Sequence, residues 1–322
     1  MNDEAIKTSP LHETVGLIIE ATDGVPISTL PLSEITTLFN EHGALLFRNF
    51  SIDCDGFTEF TATLCHDFST YQGGGFRWGK LDREKINNNE TLLTVTGATQ
   101  SFSIPLHGEM YYMKSRPTIL WFFCEEPPVT AGETILCSGA ALLRQMEPTG
   151  RDFFSRNPLK YVRHLMQDEW PVSFQTEDID VLRDWCHAND CTLKENSDGS
   201  VTIEYVTPAI LREPLKGEHV FINNALLLHS VEQSIRTGLA AQVVELPRNA
   251  CPFVVRSQND EELPSAIVDQ VERTAEALTA KVTWRKGDVL MVDNRRILHG
   301  RKKCSGNERK IFVRMGEPAF AF

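Results

Sequence analysis

The sequence predicts a mainly β protein with flanking helices, built on a closed or sandwiched antiparallel sheet. Short apolar runs bounded by turn residues recur along the chain, and the helical patterns between them are too few and too irregularly placed for an alternating βαβ order. With 322 residues, 41% of them hydrophobic, the chain can bury a full core. No Pro/Gly/Ser-rich linker divides it, and no internal repeat suggests a solenoid or propeller, so a single domain over 1–322 is expected.

The elements follow in order. Gly43-Ala-Leu-Leu-Phe-Arg-Asn-Phe50 is a short apolar strand. Asp55 to Asp67 carries Phe57, Phe60, Leu64 and Cys65 at helical spacing and reads as an amphipathic helix capped by Asp55. Pro117 to Cys124 is a nearly continuous apolar strand bounded by Pro127-Pro128, and Gly132 to Cys137 forms the next strand after a turn. Ser138 caps a helix through Met146; Thr176 or Asp178 opens another through Asn189, with Ile179, Leu182 and Cys186 on one face. Trp170 to Phe174 and Ser200 to Ile210 look like an insertion of a helix and irregular strands, so a lid is expected over roughly 160–230. A long helix covers roughly Asp260 to Lys281, with Glu261 and Glu262 in its first turn. Gly287 to Asp293 is a buried strand that ends at the second of two notable histidines.

The net charge of −12 argues against a nucleic-acid partner or an anionic membrane surface, both of which call for a basic face. A small anionic substrate remains compatible, because Arg295, Arg296, Arg301, Lys302 and Lys303 form a local basic cluster. Met1 to Pro10 is polar, with no basic-then-apolar leader, and no apolar run approaches a membrane span; a cytoplasmic location is expected. The eight cysteines are scattered without a disulfide-like or CxxC pattern and are expected to be reduced packing residues.

Chemistry concentrates at two places, Leu106-His107-Gly108-Glu109-Met110 and Leu298-His299-Gly300-Arg301. On a strand, His-x-Glu puts both side chains on one sheet face, and a distant histidine completes a triangle on one side of an ion. His107, Glu109 and His299 therefore read as a two-histidine, one-carboxylate metal site. Fe(II) held this way keeps positions open for a bidentate 2-oxo acid and then O2, which a closed four-ligand zinc site does not. Downstream, Arg309-Lys-Ile-Phe-Val-Arg314 reads as a strand on which Lys310 and Arg314 share a face and can meet a dicarboxylate. Other candidates read as structure. Cys186-His187 with Cys191 lacks a fourth zinc ligand, His229 suits a core position, and at least one of the adjacent Tyr111 and Tyr112 must face away from any pocket.

From Gly43 to its C-terminus the chain resembles the Fe(II)/2-oxoglutarate-dependent oxygenases of the taurine dioxygenase-like superfamily, nearest the clavaminate-synthase-like branch, whose motif carries Glu rather than Asp. The resemblance rests on Leu106 to Tyr112, Arg116-Pro117, Ala131-Gly132-Glu133-Thr134, Asp293-Asn294, His299-Gly300-Arg301 and Arg309-Lys310, with Trp170, Phe174 and the helix opening at Thr176. It implies a distorted double-stranded β-helix, or jelly roll, with His107, Glu109 and His299 as iron ligands and Thr134 in contact with 2-oxoglutarate. It also implies a basic anchor on the last core strand about eleven residues past the distal histidine. The ungapped count gives Lys310, where the family usually has Arg. Three anchors stay open: Lys310, Arg314, or Arg309 brought inward by a one-residue bulge, with a bidentate fork favouring arginine.

The resemblance further implies that Fe(II), 2-oxoglutarate and O2 together yield succinate, CO2 and an oxidant that takes hydrogen from an unactivated C–H. Hydroxylation is the default outcome, and desaturation or ring closure needs only a different radical fate. Halogenases of this superfamily replace the carboxylate with a small residue, so Glu109 argues against halogenation. Tyr111, Tyr112, Arg77 and Trp170 suit a small polar or zwitterionic substrate with a carboxylate: an amino acid or derivative, free or held on a carrier protein, in specialised metabolism. The alternatives are a cupin-like metal protein or isomerase without 2-oxo acid chemistry and a metal-free interaction module. Thr134 and the basic last strand argue against the first.

Overall fold

The computed structural model describes residues 6–22, 24–74, 83–96, 102–237, 251–305 and 309–321. Two β layers face one another, as a jelly roll requires, antiparallel except where Leu17–Ala21 runs parallel to Ala44–Arg48. The larger sheet runs, edge to edge, Ile6–Pro10, Leu17–Ala21, Ala44–Arg48, Val289–Asp293, Ile119–Glu126, Lys310–Pro318, Asn89–Thr94 and Lys85–Ile86, with Cys65–His66 also pairing Lys310–Pro318. The smaller has the order Ala280–Val282, Thr134–Ser138, Ile297–Arg301, Ile104–His107.

The uninterrupted apolar run from Ile119 to Cys124 follows from burial on both faces, which removes any hydrophobic alternation. Leu120, Phe122 and Cys124 point between the layers with Leu290, Val292, Ile311, Val313 and Met315, against Leu136 and Leu298 of the smaller sheet. Ile119, Trp121 and Phe123 point the other way, into a second core. There they meet Ile35 and Phe39 of the helix Leu32–His42, and Phe57, Phe60 and Leu64 of the helix Cys54–Leu64. The expected mainly β architecture with flanking helices is the one observed.

Several element boundaries differ from expectation. The helix Cys54–Leu64 is capped by Asp53, whose side chain accepts from Gly56 N, rather than by Asp55. It stops before Asp67 because Cys65 pairs with Pro318 of the last strand. The helix expected from Asp260 to Lys281 is Ser265–Ala277. Pro264 holds an extended ψ of 119° before it, and Ala280–Val282 is recruited as a strand against Thr134–Leu136. Ser138 and Asp178 cap their helices as expected. The buried strand Val289–Asp293 does not end at His299; a tight turn follows, and the histidine sits at the centre of the next strand, Ile297–Arg301.

The segment expected to be irregular contains a regular antiparallel sheet, Thr192–Glu195, Val201–Thr207, Leu159–Leu165 and Phe253–Ser257. Leu165, Trp170, Phe174, Leu182, Cys186, Val201 and Ile203 give it a small core of its own. The helix Ala225–Arg236 packs between this region and the jelly roll, against the strands Phe253–Ser257 and Ile104–His107. All eight cysteines are free. Among the described residues no helix is long and apolar enough to cross a membrane.

Candidate metal centre

His299 and His107 are direct partners across the ladder between Ile297–Arg301 and Ile104–His107, and their rings lie 4.2 Å apart between centroids. That closeness needs Gly300, where a Cβ would fall 2.5 Å from Ile104 O. The strand ends at His107, so Glu109 is not carried to the site by strand alternation. It lies in the following turn, which Met110 continues at a φ of 60°. Gly108 permits that turn, since a Cβ there would meet the Tyr111 ring at 2.4 Å. Glu109 Oε2 comes within 3.6 Å of His299 Nε2, and one donor atom from each of the three buried residues lies within 4.8 Å of the others.

The electrostatics leave His107 and Glu109 in the forms a metal takes. A carbonyl only accepts, so His107 Nδ1 must donate to Pro105 O, at 2.9 Å, which leaves the Nε2 lone pair bare. Burial, with His299 beside it, holds His107 down at about 3, hence neutral. Burial pushes the Glu109 carboxyl up, but Arg83, donating to its Oε2 at 2.9 Å, and the two imidazoles hold it well below the usual carboxylate range. Two imidazole nitrogens and one carboxylate oxygen on one side of a cavity suit iron with open positions. Iron bound there would supply the activation of O2.

The cavity encloses about 820 Å³ including its open mouth, and its walls include His107, Glu109, His299, Thr134, Phe122, Arg301 and Arg309. Arg309 is 6% exposed, and its Nε and Nη1 have no hydrogen-bond partner among the described residues. Burial, then the neighbouring Arg301, lowers it to about 10. Thr134 Oγ1 accepts from Trp284 Nε1 at 3.0 Å.

The last strand places Arg309, Ile311, Val313 and Met315 on its inner face and Lys310, Phe312 and Arg314 on its outer one. No bulge in this strand is needed to bring Arg309 inward. The register irregularity lies in its neighbour, where the pairings Lys310↔Glu126 and Ile311↔Cys124 skip Glu125. Lys310 is exposed, and Arg314 bonds Thr58 O and Thr61 Oγ1 of the helix Cys54–Leu64 under the Phe68 ring. The structure therefore brings neither Lys310 nor Arg314 to the cavity.

Of the tyrosine pair, Tyr112 lines the cavity, whereas Tyr111 turns away, bonds Asn294 O and lies under Arg116. Trp170 is also absent from the cavity wall: it packs in the small core of the 159–257 region and donates to Gly199 O. Arg77 lies outside the described residues. Sequence reasoning missed Arg83, Asn224 and Trp284, and quoted Asn294 in the family resemblance without a role. None sits in a local pattern with a ligand, although Asn294 stands beside Asp293 in the segment leading to His299, where a buried polar pair after an apolar strand was a usable signal.

A profile of the family described as "Taurine catabolism dioxygenase TauD, TfdA family" matches residues 7–315. The dapdiamide synthesis protein DdaC of Enterobacter agglomerans is 26% identical over 298 residues, covering 90% of this chain and 86% of that one. A clavaminate synthase-like protein of Arabidopsis thaliana is 26% identical over 301 residues, covering 86% of each. Among solved structures, PvcB, titled an Fe, alpha-ketoglutarate dependent oxygenase from an isonitrile synthetic pathway, superposes with a TM-score of 0.58 at 15% identity over 98% of this chain and 93% of that one, a likeness of fold. With a profile match across nearly its whole length, the chain belongs to the TauD/TfdA dioxygenase family, as an oxygenase that uses Fe(II), 2-oxoglutarate and O2.

Proposed function

We propose that His107, Glu109 and His299 hold Fe(II), that Arg309 is the anchor for the distal carboxylate of 2-oxoglutarate, with Thr134 beside it, and that the enzyme oxidises an unactivated C–H of a small amino-acid-derived molecule. One observation carries this reading: the buried guanidinium of Arg309, whose Nε and Nη1 have no hydrogen-bond partner among the described residues, lines the same cavity as the three metal-ligand candidates. A buried cation without a counter-charge is costly, and a carboxylate offers the two acceptors its fork is built for.

The chain's own residues then divide the work. Trp284 donates to the Thr134 hydroxyl, so that hydroxyl turns its proton toward the co-substrate. Arg83 and Asn294 steady Glu109 from its side-chain and backbone sides. Tyr112, Tyr71, Leu227 and Val231 line the rest of the cavity, where they exclude water and orient the substrate. We assign the 160–230 region, with the helix that follows it, as the cover of this cavity. The substrate enters free or on a carrier protein. The dapdiamide and isonitrile relatives support a place in specialised metabolism, and eight free cysteines fit a reducing cytoplasm.

Anaerobic titration of Fe(II) and 2-oxoglutarate into the apo-protein tests this reading. The weak visible charge-transfer band of the chelated iron is expected, and lost in Arg309→Ala at the same co-substrate concentration. Iron binding without that band would favour a cupin-like metal protein instead.

A further inference from the structure

Another polar atom on the cavity wall has no partner among the described residues. Asn224 is 1% exposed and lines the cavity, and its buried Oδ1 accepts no hydrogen bond among the described residues. It occupies the N-cap position of the helix Ala225–Arg236 yet makes no cap hydrogen bond, the usual employment of an asparagine there. Its neighbour Asn223 is fully engaged instead, donating from Nδ2 to Ala209 O and accepting at Oδ1 from Ala225 N.

The backbone around Asn224 is pinned to the metal motif. Its own N donates to the hydroxyl of the fully buried Tyr161 at 3.0 Å, and Asn223 O accepts from the N of Gly108, between the two ligand candidates, at 3.0 Å. Asn224 is thus held at a fixed place relative to His107 and Glu109, with Leu227 and Val231 continuing the wall along the same helix face. This is the build of a group preorganised for a ligand rather than of a folding device.

The charges lining the cavity decide what kind of donor it takes. Glu109 is the sole acid among the described lining residues and is already paired with Arg83, while Arg301 and Arg309 add two more cations. An ammonium buried beside Asn224 would find no counter-charge, whereas a neutral amide N–H needs only the carbonyl oxygen that Asn224 offers. We propose that Asn224 is the residue that reads the primary substrate, and that it accepts from a neutral amide N–H, so that the substrate is an acylated or amidated amino acid rather than a free amine. This rests on the reading of the cavity proposed above.

The test is equilibrium binding by calorimetry to the full-length protein loaded anaerobically with Fe(II) and 2-oxoglutarate. The probes are a panel of L-amino acids, each as the free amine, the Nα-acetyl form and the carboxamide. Amide-bearing probes are expected to bind at least about tenfold more tightly than the matching free amines. Asn224→Leu is expected to erase that preference without changing the affinity for Fe(II) or 2-oxoglutarate. The isosteric Asn224→Asp, which keeps the backbone arrangement, is expected to shift preference toward free amines. The inference is overturned if Fe(II) and 2-oxoglutarate bind but no amide-bearing probe does, or if both variants keep the wild-type preference. Failure of the wild-type protein to take up Fe(II) and 2-oxoglutarate would sink the underlying functional reading and this inference with it.

Discussion

The side-chain amide of Asn294 grips the backbone of Glu109 from both sides. Its Oδ1 accepts from Glu109 N at 2.8 Å and its Nδ2 donates to Glu109 O at 3.0 Å, with a further bond to Pro117 O at 2.7 Å. Glu109 lies in a turn rather than a strand, so no ladder fixes it. Asn294 supplies the missing restraint from the turn that also leads to His299, and so couples the positions of two ligand candidates through one residue. Asn294→Ala is therefore expected to weaken Fe(II) binding roughly 10- to 100-fold while the fold survives. Iron titration with circular dichroism as control checks this; unchanged affinity would remove the role.

Arg309 and Arg314 should separate binding from stability. Arg309→Ala is expected to raise the dissociation constant for 2-oxoglutarate by roughly thirtyfold or more, with little loss of stability. Arg314→Ala removes the charged donor to the Thr58 carbonyl and the Thr61 hydroxyl, leaving the bond from Thr61 Oγ1 to Thr58 O, and should cost about 1–3 kcal/mol in urea unfolding, with normal co-substrate affinity. The opposite pattern would mean that the faces of the last strand are exchanged.

Trp284 should act through Thr134. An indole N–H can only donate, so removing it frees the threonine hydroxyl to turn away from the cavity. Trp284→Phe and Thr134→Val are each expected to weaken 2-oxoglutarate binding several-fold, and the double variant by less than the product of the two. Additive losses in that double-mutant cycle would show independent roles.

Iron should stabilise the native chain by mass action. At a free Fe(II) concentration one hundred times its dissociation constant, stability should rise by about 2.7 kcal/mol, and chelation should reverse it. Anaerobic thermal melts of the wild type and of His299→Ala check this, since the variant should show no iron-dependent shift.

Alkaline pH should destabilise the fold through its buried thiols. Burial raises Cys65, Cys124 and Cys137 to about 12 from an ordinary 9.0. The folded values lie above the unfolded one, so this stabilisation is complete below pH 9.0 and is lost as pH rises toward about 12. Stability of Cys137→Ala should fall less steeply across that window than that of the wild type, measured by denaturant unfolding at each pH.

The local motifs His107-Gly108-Glu109 and His299-Gly300 were legible because a metal site needs specific donor types, and few residues supply them. The strands were legible from their apolar runs, and Ser138 and Asp178 from their capping chemistry. Sequence alternation also established that Lys310 and Arg314 share one face of the last strand and Arg309 takes the other. It left open which face meets the cavity, because both sides of that sheet are buried under apolar residues and the hydrophobic pattern is therefore the same on each. Packing of Phe312 and Arg314 against the helix Cys54–Leu64 settled it. Trp170 went to a separate small core, Glu109 reached its neighbours through a turn, and Arg83 and Asn224 came to the cavity from distant segments. Local spacing carries the choice of donors and the period of each element. The tertiary structure alone decides which distant side chains share a cavity, because that depends on how the layers pack and not on any interval along the chain.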